Sequence, residues 1–140
     1  MHIFPYQYKH IEYGKIINPL ILLPVKSEWG WQNLWFIVDS GADTTMLPLS
    51  LAKKFGFSCN PDKKIKLFGI GEQAVFASPG EIICQINGDE IKTRSYFTHS
   101  DNSSLLLGRL DIFDKFSIMF DAEKQQIVFS KINKPYFKWN

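Results

Sequence analysis

Apolar residues recur along the 140-residue chain in short runs rich in Ile, Val, Leu and Phe, separated by glycine, proline, asparagine or aspartate. That rhythm predicts an all-β domain. Residues 16–25 read as a strand interrupted by Pro19, and residues 29–38 as a turn at Gly30 followed by an apolar strand into Asp39. Residues 64–75 alternate around Phe68-Gly69-Ile70-Gly71, which predicts a β-hairpin whose glycines suit the positive φ of a tip. Asn87-Gly88-Asp89 stands between apolar runs at 81–86 and 91–97 and predicts a tight hairpin turn. Leu105-Leu106-Leu107-Gly108 reads as a buried strand ending at glycine, and residues 117–120 pair with 126–129 across a further turn. Helical character is confined to two places. Residues 49–55 follow Pro48, carry Lys53 and Lys54 in the last turn and stop at Gly56; residues 111–116 read as a short helix capped by Asp111.

Composition narrows the picture to one domain spanning residues 1–140. With 45% hydrophobic and 15% aromatic residues the chain buries enough apolar surface to offset the entropy of ordering. Sixteen basic against 14 acidic residues leave a net charge of +2, and the basic residues are scattered, so no nucleic-acid partner is expected. No apolar run approaches the roughly 18–20 residues of a membrane span, so no membrane partner is expected either. Met1-His2-Ile3-Phe4-Pro5 lacks the features of a secretory signal, which points to the cytoplasm. Cys59 and Cys84 lie outside any ligand spacing and read as reduced thiols, with no metal site and no cofactor expected. His2, His10 and His99 have no nucleophile at a motif spacing. Trp29, Trp31, Trp35 and the Tyr136-Phe137-Lys138-Trp139 tail read as packing or interface surface.

The chemistry concentrates in Phe36-Ile37-Val38-Asp39-Ser40-Gly41-Ala42-Asp43-Thr44-Thr45. An apolar strand here delivers an aspartate into a tight Ser-Gly turn. Gly41 permits close backbone approach, and Ser40 and Thr45 offer hydroxyls near the carboxylate. Alone, Asp-Ser-Gly reads as an ordinary turn at a strand end. Two other stretches change its weight: the glycine-tipped hairpin midway along the chain, and Leu106-Leu107-Gly108-Arg109 late in it.

Together these three stretches resemble the retropepsin family, the retroviral-type aspartic proteases, over roughly residues 16–129. Asp39-Ser40-Gly41-Ala42 stands where the family has its catalytic Asp-Thr/Ser-Gly-Ala. Phe68-Gly69-Ile70-Gly71 looks like the flap tip, with Glu72 where viral members often have another glycine, and Leu106-Leu107-Gly108-Arg109 looks like the second signature. The helix at Pro48-Leu49-Ser50-Leu51-Ala52 is similar to that of cellular and bacterial members. The resemblance implies a closed β-barrel or sandwich with a flap hairpin and one or two short helices. It implies an aspartic endopeptidase with Asp39 as the acid/base, supported by Ser40, Gly41 and Ala42. Asp43, Leu67, Phe68, Gly69, Ile70 and Gly71 would hold an extended peptide, with Thr45 and Arg109 behind them and Arg109 meeting Asp43. One catalytic aspartate per chain implies a homodimer. The alternative is a retropepsin-fold dimerisation or peptide-binding module without turnover. Asp101 and Asp111 lack the strand-Asp-Thr/Ser-Gly context of a second catalytic carboxylate; Asp101 is expected in solvent.

Overall fold

The computed structural model describes residues 1–68, 74–101 and 103–133. In chain order its first elements are β1 (His2–Pro5), β2 (Gln7–Ile11), β3 (Gly14–Asn18), β4 (Leu20–Ser27), β5 (Gly30–Val38), β6 (Thr45–Pro48) and α1 (Leu49–Phe55). They are followed by β7 (Ser58–Cys59), β8 (Ile65–Phe68), β9 (Ala74–Ile86), β10 (Asp89–Thr98), β11 (Leu106–Leu107), β12 (Phe116–Asp121) and β13 (Gln126–Lys131).

Period-two alternation decides which face each strand buries. On β4, Ile21, Leu23 and Val25 are buried whereas Leu22 and Lys26 face out; on β5, Phe36 and Val38 are buried. The two strands pair antiparallel with Leu20 opposite Ile37 and Leu22 opposite Trp35. From β5 the sheet passes to β11 in parallel, to β6 antiparallel and to β10 in parallel. β10 then pairs antiparallel with β9 along its whole length, and β9 returns to β4 at Val25 opposite Cys84. These six strands close a ring, the barrel that the resemblance implies. Phe36, Phe97, Leu23, Leu47, Leu107 and Ile82 fill its interior. Truncating such a side chain to alanine costs about 2–5 kcal/mol.

A three-stranded sheet in the order β1-β13-β12 packs Phe4, Ile127 and Phe129 onto the same buried cluster. Asn87 (φ 55°) and Gly88 (φ 80°) make the β9–β10 turn, with both residues in the left-handed conformation such a two-residue turn demands. α1 follows Pro48 and ends at Gly56 (φ 70°), as the sequence predicts.

Several sequence expectations are corrected. Residues 111–115 form successive turns rather than a second helix, held by Phe113 N–H to Arg109 O (2.9 Å) and Phe116 N–H to Ile112 O (3.0 Å), and Phe116 already opens β12. Asp111 caps nothing; it has φ 67° and is buried. The run at 81–86 is the second half of one 13-residue strand, β9, because Pro79 and Gly80 do not interrupt its pairing with β10. The interruption expected at Pro19 within 16–25 is present, as the break between β3 and β4. β1, β2 and β6 have no counterpart in the sequence reading. The aromatic tail at 136–139 lies outside the described residues.

Candidate active site

Asp39 stands just past the end of β5, and its backbone N–H still donates to Leu107 O (3.0 Å), so the chain stays extended as far as the aspartate. Its side chain therefore leaves on the same face as Ile37, opposite the buried Phe36 and Val38. The loop then turns sharply. Gly41 N–H donates to Asp39 Oδ1 (2.9 Å) and Ala42 N–H to Asp39 O (3.2 Å). A Cβ on Gly41 would lie 3.2 Å from that same Oδ1, a tight contact that would shift the carboxylate by a few tenths of an ångström.

The loop is laced to the chain that follows β11. Arg109 N–H donates to Ala42 O (2.9 Å), Leu110 N–H to Asp43 O (2.9 Å) and Gly108 N–H to Thr45 Oγ1 (3.1 Å). Gly108 packs so closely that a Cβ there would meet the Thr44 carbonyl at 2.3 Å. The Arg109 guanidinium reaches across the loop, giving one N–H to Ser40 O (2.6 Å) and another to Asp43 Oδ1 (2.5 Å). Thus the two stretches singled out in the sequence, 39–45 and 106–109, meet as one unit although more than sixty residues separate them.

Hydroxyl support is distributed differently from the sequence expectation. Among the described residues neither Ser40 nor Thr45 bonds the Asp39 carboxylate; Thr45 is fully buried and accepts the Gly108 amide, and Ser40 contributes its carbonyl to Arg109. Ala42 offers only backbone. Leu67 and Phe68 lie on β8, opposite Val75 and Ala74 of β9, so the hairpin expected around 64–75 is present at its base. Gly69, Ile70 and Gly71 lie outside the described residues. Asp101 is exposed on a turn. Asp111 is engaged elsewhere: both its oxygens take N–H groups of the Arg94 guanidinium at 2.9 Å, and Oδ2 also takes the Arg94 backbone N–H at 2.9 Å.

Strand register brings together residues that the sequence reading did not single out. Leu20, Ile37, Leu106, Met46 and Tyr96 are successive neighbours across β4, β5, β11, β6 and β10, and all are half-buried. They form an apolar floor on the face from which Asp39 emerges. The alternation within each run signalled which residues share a face, but their alignment depends on pairings between distant strands.

His99, isolated in sequence, has Nε2 2.8 Å from Ser78 Oγ; Ser78 is fully buried, which denies that hydroxyl to any substrate. Cys59 and Cys84 are free thiols, and burial pushes the Cys84 thiol up to about 11. Among the described residues no group of three or more His, Cys, Asp or Glu is placed to hold a metal ion, and no helix is long and apolar enough to cross a membrane.

No protein-family model matches the chain, and no curated protein sequence does. Solved structures do. A retropepsin-like aspartic protease from Rickettsia conorii superposes with a TM-score of 0.56 at 20% identity, over 91% of this chain and 87% of that one. The EIAV protease, solved in complex with the inhibitor HBY-793, gives a TM-score of 0.52 at 22% identity, over 66% of this chain and 82% of that one. The fold is the retropepsin-like one, as the sequence resemblance implied.

Proposed function

We propose that the chain is an aspartic endopeptidase that works as a homodimer, with Asp39 of each copy forming the catalytic pair. One observation carries the reading: a single carboxylate, fixed by the Gly41 amide on a loop laced to Gly108 and Arg109, stands level with an apolar floor. Peptide hydrolysis by carboxyl groups takes two of them sharing one proton around a water. The ionised carboxylate removes a proton from the water as its oxygen adds to the scissile carbonyl carbon, and the protonated partner gives its proton to the carbonyl oxygen. The tetrahedral diol then collapses: its C–N bond breaks, the proton first taken from the water is returned to the leaving nitrogen, and one diol hydroxyl gives its proton to the partner carboxylate, which restores the pair with its single shared proton. Asp111 is held by Arg94 and Asp101 lies on an exposed turn, so the second carboxyl group comes from a second copy across a twofold axis.

The remaining residues bind and orient. An extended peptide lies between the floor and the β8–β9 hairpin, with Leu67, Phe68, Gly69, Ile70 and Gly71 covering it. Asp43, whose side chain is 88% exposed, accepts backbone N–H groups of the peptide while Arg109 holds it in place.

Asp39→Asn tests the reading. It keeps size and polarity but removes the proton-sharing carboxyl, so cleavage of an unfolded protein substrate should fall by at least about a hundredfold, with circular dichroism and hydrodynamic size unchanged. Cleavage by the variant at the wild-type rate would overturn the assignment. A wild-type dimer that binds peptides and cleaves none would instead be the binding module.

A further inference from the structure

β2 and β3 form a two-stranded ribbon that, among the described residues, pairs with no other strand. Such a ribbon is marginal in water by itself. This one nevertheless exposes four large apolar side chains, Tyr8, Ile11, Tyr13 and Ile16, with Tyr13 97% exposed at the turn. Its attachments to its own chain are near its root, where Tyr8 Oη donates to Gln125 Oε1 (2.6 Å) and Tyr6 N–H donates to Gln125 O (3.0 Å). Lys15 lies over the Tyr8 ring at 4.2 Å, which stiffens the ribbon and leaves Ile11, Tyr13 and Ile16 uncovered.

The place from which the ribbon springs gives it meaning. Pro19, the residue between β3 and β4, accepts the Val38 backbone N–H at 2.8 Å, and Val38 immediately precedes Asp39. The ribbon thus leaves the barrel at the end that carries the Asp39 turn. A twofold pairing of Asp39 turns brings that end of one copy to the same end of another.

We propose that the β2–β3 ribbon is a dimerisation arm that packs on a second copy of this chain. The proposal rests on the homodimer reading above and names the contact that makes the dimer. Two arguments, one from area and one from unpaired strand edges, favour a second copy as the occupant. Ile16 pairs with Lys9 and Ile11 with Gly14, so the two isoleucines share the ribbon face opposite Tyr8; with Tyr13 at the turn their exposed parts amount to about 400 Å² per copy, and two arms related by a twofold axis contribute on the order of 800 Å². The Asp39 turns add to that contact and bring it towards the roughly 1,000 Å² of a specific interface. The outer edges of β2 and β3 also keep backbone N–H and C=O groups unpaired by strands of their own sheet, and a strand of the second copy would satisfy them.

The test is Ile11→Asp with Tyr13→Asp in the full chain, followed by sedimentation velocity, cleavage rate against protein concentration, and thermal melting. The variant should dissociate at concentrations about a hundredfold above those that dissociate wild type. Activity should be lost in step and recovered as concentration rises, with the monomer fold intact by circular dichroism because both side chains are exposed. A variant that dimerises as tightly as wild type overturns the arm and leaves the homodimer reading standing. A wild-type monomer with full, dilution-independent activity overturns both. Hydrogen exchange on the wild type needs no variant: amides of residues 9–16 should exchange more slowly above the dissociation concentration than below it, and equal rates overturn the arm.

Discussion

Two aspartate–arginine pairs each draw one member from the segment after β11, Arg109 with Asp43 and Asp111 with Arg94, and they do different work. Asp111 is only 9% exposed and receives three N–H groups from Arg94 at 2.9 Å, two from the guanidinium fork and one from the backbone. Asp43 is 88% exposed and receives one N–H from Arg109, whose other arm is spent on the Ser40 carbonyl. A buried carboxylate stripped of water depends on its partner, so breaking that pair acts on folding. An exposed pair gains little over hydration, so its value lies in where it holds the loop. The same two residue types thus pin the chain to β10 in one case and orient a candidate active-site loop in the other.

The comparison breaks most visibly at Asp111. Asp111→Ala removes three charge-assisted hydrogen bonds and puts a residue with a Cβ but no local side-chain acceptor at φ 67°. Unfolding in urea should show a loss of about 2–4 kcal/mol. Asp111→Asn should lose less, because asparagine tolerates the left-handed conformation and keeps an acceptor for the Arg94 amide. A loss of under about 0.5 kcal/mol in the alanine variant would show the pair to be dispensable.

Arg94→Gln sharpens the same contrast through pH. Burial pushes the Asp111 carboxyl up, but the Arg94 side-chain bonds, its backbone bond and its charge outweigh burial and hold the group below its ordinary value. A carboxyl lowered in the folded state contributes stability that is fully present above the unfolded value of about 3.9 and is lost as pH falls through the folded one. Wild type should therefore lose this contribution in acid. In Arg94→Gln burial acts without the opposing charge, so the variant should be less stable than wild type near neutrality and the gap should shrink below about pH 4. The loss at neutral pH should be smaller than that of Asp111→Ala, since the Arg94 backbone N–H remains. A gap that is constant across pH would remove the charge from the explanation.

Local chemistry was readable in the sequence, and long-range register was not. The Asn87-Gly88 turn, α1 with its Gly56 stop, and the Asp39-Ser40-Gly41 turn each depend on neighbours within a few residues. The floor of Leu20, Ile37, Leu106, Met46 and Tyr96 depends on two parallel pairings between strands far apart in the chain, so no window of sequence contains it. Asp111 was misread because an aspartate before an apolar run looks like a helix cap, whereas Arg94, seventeen residues upstream, claims its carboxylate. β2 escaped notice for another reason: its side chains are exposed or half-exposed, and without a buried face a strand has little alternation to show.

The smallest stability effect, and the one that separates the two pairs most cleanly, belongs to Asp43 and Arg109. Either alanine variant should change unfolding stability by less than about 1 kcal/mol, because both side chains are well hydrated. Their effect should appear in kcat/KM. Asp43→Ala removes one contact, but Arg109→Ala releases both Asp43 and the Ser40 carbonyl next to Asp39, so the arginine variant should be the slower by about tenfold. Arg109→Lys should not restore the rate, since a single ammonium cannot reproduce a planar fork spanning two oxygens. In a double-mutant cycle on kcat/KM the two alanine changes should be less than additive, the second costing little once the first has freed the loop. Full additivity, or a stability loss as large as that of Asp111→Ala, would place this pair with the buried one and remove its distinct role at the Asp39 turn.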